Sequence, residues 1–260
     1  MQSTITIGID PYIELGPVTL AWHGLTIALG ILVASWLASR CLRAWELDPE
    51  EVYPLAAVTA LAGIVGARAF FLLENEPSAL VTPGEWLGTN GFSFYGAVLA
   101  GVPAAALYAR RRELTVRYLD ALAVGFPLGM TVGRIGDVIN GEHYGPASDL
   151  PWAVRNSHPE AEVPSNEIAY HSGGLYEVVL GLAMFAVVWP LRNRLGAPGA
   201  LICTVVGLYA AGRFVMFFAR SDSEDLLLGL SGAQWTSLGL LALAIGLGLS
   251  AARRAPPNAP

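Results

Sequence analysis

The sequence predicts an all-α, polytopic membrane protein with seven transmembrane helices. Of its 260 residues, 54% are hydrophobic and only 14% are charged, whereas a soluble domain carries about 25% charged residues. The apolar residues fall in runs of about twenty, the length that a helix needs to cross ~30 Å of hydrocarbon. The alternating segments of about ten residues that a transmembrane β-barrel would require do not recur. A net charge of −6 argues against affinity for nucleic acid.

Each predicted span is an apolar run bounded by polar residues or turn signals. The spans are Pro17–Ser39, Val52–Leu73, Phe92–Ala109, Leu119–Ile139, Gly174–Leu191, Gly199–Ala219 and Gln234–Ala252. Together they predict a single membrane domain over residues 1–254, with a disordered tail at 255–260. The longest loop, at about 140–173, has the length of a functional loop or lid.

The distribution of arginine predicts the orientation. All 15 basic residues are arginine. Ten of them fall on one side if the chain threads the membrane alternately: Arg40, Arg43, Arg110, Arg111, Arg112, Arg117, Arg192, Arg194, Arg253 and Arg254. The loops on the other side hold only Arg155 and Arg220. The excess of positive charge in cytoplasmic loops then places the N-terminus outside and the C-terminus in the cytoplasm.

Three further arginines, Arg68, Arg134 and Arg213, lie within a span or at its predicted outer end. Each side chain could extend to the interface and place its guanidinium in water. This alternative suits Arg134 and Arg213 less well than Arg68, because they lie beside other polar residues. Three guanidiniums at one membrane level would instead suit an anionic ligand.

Residues 133–145, Gly-Arg-Ile-Gly-Asp-Val-Ile-Asn-Gly-Glu-His-Tyr-Gly, form the most informative stretch. Ionisable groups at bilayer depth are costly and therefore indicate a functional site. Asn140 and Gly141 form a turn signal that ends the helix. Arg134 and Asp137 are three residues apart and share one helix face, which favours an ion pair. A polar cluster where a helix ends near the interface is a place to bind a lipid headgroup.

Several other polar residues near span ends have two interpretations each. His23 is either a hydrogen-bonded core residue or an acid/base group. Tyr95 is either an interfacial aromatic residue or a phenol that binds a headgroup or relays a proton. Glu177 begins a helix, where the dipole favours a carboxylate, but it could equally pair with an arginine. Cys41 and Cys203 fit no disulfide or metal-binding pattern.

The stretch at residues 133–145 resembles the signature of the prolipoprotein diacylglyceryl transferase family, which reads Gly-Arg-x-Gly-Asn-Phe-x-Asn-x-Glu-x-x-Gly. The resemblance extends over nearly the whole chain, in the family's order. The further matches are Leu15-Gly16-Pro17, Trp22-His23-Gly24-Leu25, Gly66-Ala67-Arg68, Ser93-Phe94-Tyr95-Gly96, Leu150-Pro151-Trp152, Leu175-Tyr176-Glu177, Gly212-Arg213-Phe214 and Gln234-Trp235-Thr236-Ser237.

The resemblance implies a multi-pass transferase of the bacterial cytoplasmic (inner) membrane. The family moves the diacylglyceryl group of phosphatidylglycerol, a membrane lipid, onto the lipobox cysteine thiol of a preprolipoprotein signal peptide. This is the first step of lipoprotein maturation. Glycerol phosphate leaves, and no metal or soluble cofactor is required. Such a displacement needs a thiolate nucleophile and stabilisation of the charge on the departing phosphate.

The resemblance also implies residue roles. Arg134 would hold the lipid phosphate, and Arg213 would assist the leaving group. Tyr95 and His23 would be the acid/base groups. Asn140 and Glu142 would orient the headgroup or the signature loop. The other substrate-binding candidates are Asp137, Arg68 and Glu177.

The chain also departs from the family pattern. Asp137 replaces an asparagine, and a carboxylate beside an anionic lipid is unfavourable unless Arg134 neutralises it or it is protonated. His23 and Tyr95 exchange the tyrosine and histidine that the family often has, so a proton relay would have its members reversed. The other departures are Phe217 in place of glutamate and His171-Ser172-Gly173-Gly174 in place of His-Pro-x-Gln. These changes leave open a catalytically impaired paralogue that binds lipid or lipoprotein without transfer.

Overall fold

The computed structural model describes residues 4–16, 18–87, 91, 93–220 and 225–254. The α-helices in this part of the chain are α1 (Trp22–Ala44), α2 (Val52–Asn75), α3 (Phe94–Arg111), α4 (Val116–Asn140), α5 (Gly173–Leu191), α6 (Ala200–Met216) and α7 (Gly232–Arg254). The strands are β1 (Ile5–Ile7), β2 (Tyr12–Leu15), β3 (Val18–Ala21), β4 (Tyr144–Ala147), β5 (Val154–Asn156), β6 (Tyr170–Ser172), β7 (Asp225–Leu227) and β8 (Leu230–Ser231). Short 3₁₀ turns cover Pro77–Val81, Pro83–Leu87 and Phe217–Ala219.

Among these residues, six helices are long and apolar enough to cross a membrane: α1, α2, α4, α5, α6 together with its 3₁₀ turn, and α7. The prediction of a largely helical, polytopic membrane protein is therefore confirmed. The third predicted span corresponds to α3, an 18-residue helix that contains Pro103 and is not one of the six. Seven spans thus remain a prediction. The all-α prediction was wrong about the connecting segments, which contain short strands.

The first span begins later than predicted. Val18–Ala21 pairs antiparallel with Tyr12–Leu15 as a hairpin, so α1 begins at Trp22 rather than near residue 17. The apolar residues of this hairpin resemble the start of a span in the sequence. The predicted end of α4 is confirmed, because the helix ends at Asn140 and Gly141 has a φ of 82°. The main-chain N–H of Gly141 donates to Asp137 O there.

The chain divides into two compact units, residues 1–41 with 119–260 and residues 42–118. The predicted single domain over residues 1–254 stays a prediction. In the first unit, α1 and α4 pack through small residues. A Cβ atom on Gly30 would lie 2.4 Å from Gly129 O, and one on Gly125 would lie 2.2 Å from Ala34 O. Only glycine permits such close approach of two helix backbones.

The same close packing continues to the polar end of α4. A Cβ atom on Gly136 would lie 2.6 Å from His23 Cα, so the start of α1 lies directly against the last turns of α4. On α5, a Cβ atom on Gly174 would lie 3.1 Å from Val138 N. On α6, one on Gly212 would lie 2.4 Å from Leu180 Cδ1 of α5. Glycines therefore bring polar residues of α1, α4, α5 and α6 close together.

The loop predicted at about 140–173 contains three of the strands of a small sheet. The strand order is β1-β5-β6-β4, with β1 parallel to β5 and the other pairs antiparallel. Asn156, at the end of β5, donates through Nδ2 to Val138 O and Ile139 O at 2.9 Å each. These bonds satisfy carbonyls at the end of α4 that lack helical partners. The sheet is thereby fastened to the helix that carries the signature residues.

In the second unit, α2 and α3 also pack through glycine. A Cβ atom on Gly66 would lie 2.5 Å from Gly96 O. The buried Arg68 side chain donates to two main-chain carbonyls, Gly91 O at 3.0 Å from Nη1 and Glu85 O at 3.0 Å from Nε. Its guanidinium thus binds the connecting segment between α2 and α3, and the alternative in which Arg68 extends to the interface stays a prediction.

Candidate active site

The last turns of α4 supply the centre of the site. Arg134 and Asp137 lie one turn apart, and the Arg134 guanidinium donates through Nη1 to Asp137 Oδ2. Asp137 is only 1% exposed, so its charge requires a buried partner. The guanidinium of Arg134 supplies this partner, which is the neutralisation that a carboxylate beside an anionic lipid needs.

His23, from the start of α1, lies against the other oxygen of Asp137. Its Nδ1 is 2.7 Å from Asp137 Oδ1 and 3.2 Å from Glu142 Oε2. With two carboxylate oxygens facing Nδ1, we assign the proton to this nitrogen, which leaves Nε2 as the acceptor. An imidazole oriented by a carboxylate in this way can accept a proton at its other nitrogen.

Asn140 is the last residue of α4, and Glu142 follows the helix and supports the imidazole from outside it. Asn140 Nδ2 donates to Glu142 Oε1 at 2.9 Å. Burial is the main cause that raises the pKa of the Glu142 carboxyl. The buried Asn140 Oδ1 has no hydrogen-bond partner within the described residues.

Glu177 connects three helices. This α5 residue is 1% exposed. Its Oε2 contacts Arg134 Nε, and its Oε1 accepts from Arg213 Nη1 at 3.0 Å. Of the two interpretations of Glu177, pairing with arginine is therefore the one observed. Glu177 brings Arg134 and Arg213 to one point, where their N–H donors can serve a shared anion.

Arg213 is held by its own helix as well. Its Nη1 donates to the Tyr209 hydroxyl at 3.1 Å, one turn earlier on α6. The Tyr209 ring packs edge-on against Phe126 of α4, with ring centroids 5.7 Å apart. Arg213 is thus positioned by α6, by the α5 carboxylate and, through Tyr209, by α4.

Sequence reasoning missed two members of this cluster, Arg220 and His143. Arg220 Nη2 donates to His143 Nδ1 at 3.0 Å, and Arg220 Nη1 lies 4.0 Å from Glu177 Oε1. His143 Nε2 lies 3.7 Å from Asp137 Oδ2. Arg220 stands seven residues after Arg213, about two helical turns, and this spacing was the available signal.

The roles predicted for Arg68 and Tyr95 in this site stay predictions. Arg68 belongs to the second unit. Tyr95 lies in α3, and its side chain falls outside the described residues. The proposed exchange of acid/base roles between His23 and Tyr95 therefore stays a prediction.

The donors of His23, Asp137 and Glu142 lie within 4.8 Å of one another, and this is the group in the described residues that could hold a metal ion. Asp137 is already shared by Arg134 and His23. A cation among these donors would have to replace the proton between His23 Nδ1 and the two carboxylate oxygens, and it would lie on the carboxylate that already binds the Arg134 cation. The donor set therefore fits a hydrogen-bonded network better than a metal centre.

The comparison with known proteins assigns the chain to a family. The family model for prolipoprotein diacylglyceryl transferase matches residues 11–249. The chain belongs to this family. The residues of the cluster, from His23 to Arg220, all lie within the matched range of the prolipoprotein diacylglyceryl transferase family.

Three bacterial relatives, each named a phosphatidylglycerol–prolipoprotein diacylglyceryl transferase, show the extent of the similarity. The one from Streptomyces coelicolor is 32% identical over 253 residues, which cover 94% of this chain and 73% of the relative. The one from Frankia casuarinae is 34% identical over 246 residues, 90% of this chain and 60% of the relative. The one from Methylobacillus flagellatus is 33% identical over 265 residues, 94% of this chain and 97% of the relative. This chain thus spans less than two thirds of the Frankia relative and almost all of the Methylobacillus one.

Proposed function

We propose that this protein transfers the diacylglyceryl group of phosphatidylglycerol to the lipobox cysteine thiol of a preprolipoprotein signal peptide. The names of the relatives support the reaction. The observation that carries the proposal is the junction at Glu177, where Arg134 and Arg213 meet at the ends of apolar helices. Two guanidinium groups at one point suit the phosphodiester of an anionic membrane lipid.

In the proposed reaction the cysteine sulfur attacks a glycerol carbon of the lipid. The carbon–oxygen bond to the phosphate breaks, a thioether forms, and glycerol phosphate leaves with the bonding electron pair. Arg134 holds the lipid phosphate. Arg213 stabilises the negative charge that develops on the leaving group, since preorganised donors in a dry site act most strongly on developing charge.

The thiol proton passes to His23 Nε2 in this scheme. Asp137 and Glu142 hold the imidazole through Nδ1 and stabilise the imidazolium that forms. An unassisted cysteine with a pKa near 8.5 is already a few per cent thiolate at neutral pH, so the base contributes a modest factor. Asn140 orients Glu142, Tyr95 is a second acid/base group, and Arg68 orders the segment after α2.

We further propose seven spans in a bacterial inner membrane, with the N-terminus outside and the C-terminus in the cytoplasm. The ten arginines on one side of the predicted threading support this orientation. It places the His23, Arg134 and Arg213 cluster at the outer leaflet, where a signal peptide cysteine would arrive. Alkaline phosphatase fused after Asn140 should be active and a fusion after Arg194 inactive; the reverse pattern would overturn the orientation.

The decisive experiment uses purified protein in mixed micelles of detergent and phosphatidylglycerol with a lipobox peptide. The peptide mass should increase by one diacylglyceryl group, and Arg134→Ala should abolish the increase. Arg194→Ala changes an exposed arginine outside the cluster and should leave the rate unchanged. In a strain depleted of its own transferase, wild type and Arg194→Ala should restore growth, and Arg134→Ala should not.

A second candidate is a paralogue that binds lipid or lipoprotein without transfer. The observation in its favour is that Arg134 already contacts two carboxylates, Asp137 and Glu177, which compete with an anionic lipid. Binding of phosphatidylglycerol by well-folded protein, with neither peptide modification nor complementation, would select this candidate over the enzyme.

A further inference from the structure

Phe217 lies between two arginines of the cluster. It begins the 3₁₀ turn Phe217–Ala219 that follows α6, four residues after Arg213 and three residues before Arg220. Its side chain is buried, with 8% exposure. An aromatic residue at this spacing can reach both guanidinium groups from the chain segment that carries them.

The ring contacts both cations. The Arg213 Cζ atom lies 4.9 Å from the ring centroid, and the Arg220 Cζ atom lies 4.6 Å from it. Both distances are within the ~6 Å range of cation–π attraction. The next residue, Phe218, differs in its surroundings, since it is 65% exposed and packs edge-on against Phe214.

The same two guanidiniums also approach one carboxylate oxygen. Arg213 Nη1 lies 3.0 Å and Arg220 Nη1 lies 4.0 Å from Glu177 Oε1. Two like charges this close repel each other, and Glu177 also contacts Arg134. The Phe217 ring attracts both guanidiniums and has no acceptor atom, so it holds them without occupying any of their N–H donors.

We propose that Phe217 is a positioning residue for headgroup recognition, whose ring holds Arg213 and Arg220 in place for the phosphate of an anionic phospholipid. The inference rests on the proposed function, in which phosphatidylglycerol is the lipid substrate. Glu177 and Phe217 then act on the two arginines in different ways. The carboxylate balances charge, and the ring fixes the direction of the guanidiniums without using any of their N–H donors.

The test compares Phe217→Leu, Phe217→Met and Phe217→Tyr with the neighbouring control Phe218→Leu. Initial transfer rates are measured against the mole fraction of phosphatidylglycerol and, separately, against lipobox peptide. Removing the ring should lower kcat/KM for the lipid about tenfold, because neither guanidinium is then held by cation–π attraction. The KM for the peptide should stay within about twofold, and Phe217→Tyr should retain most of the wild-type value.

A second measurement does not depend on transfer. Phosphatidylglycerol added to the detergent-solubilised protein should raise the Tm more than phosphatidylcholine does, and Phe217→Leu should lose most of this difference. Equal behaviour of Phe217→Leu and Phe218→Leu in both measurements would overturn the inference, as would equal losses for Phe217→Leu and Phe217→Tyr. Inactive wild-type protein would instead overturn the proposed transfer, and the thermal shifts would still decide the role of Phe217.

Discussion

Asp137→Asn is the most informative perturbation, because Asp137 serves two partners with two oxygens. Its Oδ1 lies 2.7 Å from His23 Nδ1, and its Oδ2 accepts from Arg134. The amide retains the shape of the side chain and removes its charge. We therefore expect opposite effects on the chemical step, through His23, and on lipid binding, through Arg134.

The expected decrease in kcat follows from the bond to His23. A hydrogen bond to a charged group contributes about 1.5–3 kcal/mol and a neutral one about 0.5–1.5 kcal/mol. The midpoints of these ranges differ by about 1.2 kcal/mol, which corresponds to about an eightfold decrease in kcat. The loss stays this small because Glu142 Oε2, 3.2 Å from His23 Nδ1, continues to hold the imidazole.

The expected change in KM has the opposite sign. Without the Asp137 charge, Arg134 keeps Glu177 as its carboxylate partner and binds an anionic headgroup more strongly. The KM for phosphatidylglycerol should fall about threefold to tenfold, because the charge-assisted bond from Arg134 to Asp137 no longer competes with the bond from Arg134 to the lipid. Initial rates in mixed micelles, at varied lipid mole fraction and saturating peptide, separate the two constants.

The control is Asp149→Asn, which removes a carboxylate from an exposed loop position. It should change neither constant by more than about twofold, as expected for an exposed charge. A normal kcat for Asp137→Asn would refute the role of the carboxylate in orienting His23. A raised KM would refute the competition between Asp137 and the lipid for Arg134.

Three further predictions concern features outside this pair. Asp120 is fully buried, and its two oxygens accept from the main-chain N–H groups of Gly199 and Ile202 at the start of α6. Asp120→Ala should therefore cost about 1–2 kcal/mol and lower the Tm, whereas Asp120→Asn, which keeps one acceptor oxygen, should restore only part of the loss. Equal Tm values for the two variants would contradict the capping role. Burial raises the pKa of the Glu142 carboxyl in the folded protein. The contribution of this carboxyl to the free energy of unfolding is therefore fully present below its pKa in the unfolded chain, near 4.5, and is lost as the pH rises through its pKa in the folded protein. The Tm of Glu142→Gln minus that of wild type should therefore grow from pH 4 to pH 8, and a constant difference would exclude this linkage. Treatment with EDTA should leave transfer unchanged, because the Arg134 guanidinium already neutralises Asp137 and a proton on His23 Nδ1 already joins the Asp137 and Glu142 carboxylates. Loss of activity that zinc restores would show the opposite.

Hydropathy and turn signals predict the helices well, because a span is a long, continuous pattern. They fail at Val18–Ala21, where four apolar residues continue an apolar run but pair as a strand with Tyr12–Leu15. Strands of two to four residues carry too little alternation to be recognised in a sequence. The sequence therefore predicts only a long loop where the small sheet follows α4.

The site is predictable where its residues share one helix and much less so where it depends on packing. Arg134 and Asp137 are one turn apart, so their pairing can be inferred from spacing alone. The contact of His23 with Asp137 joins residues 114 positions apart and depends on the approach of α1 to Gly136. The sequence places Arg220 in a loop because it follows the apolar run, and it leaves Glu177 with two equally good interpretations until its partners are known.

The glycine contacts between α1 and α4 have a consequence for the site when the thickness of the bilayer changes. Lipid bilayers vary in thickness, and transmembrane helices tilt in response. At Gly30 and Gly129 no side chain separates the two backbones, so the helices have little room to slide against each other. We therefore expect tilting to move both helices together, so that the imidazole of His23 and the carboxylate of Asp137 keep their spacing when the bilayer thickness changes.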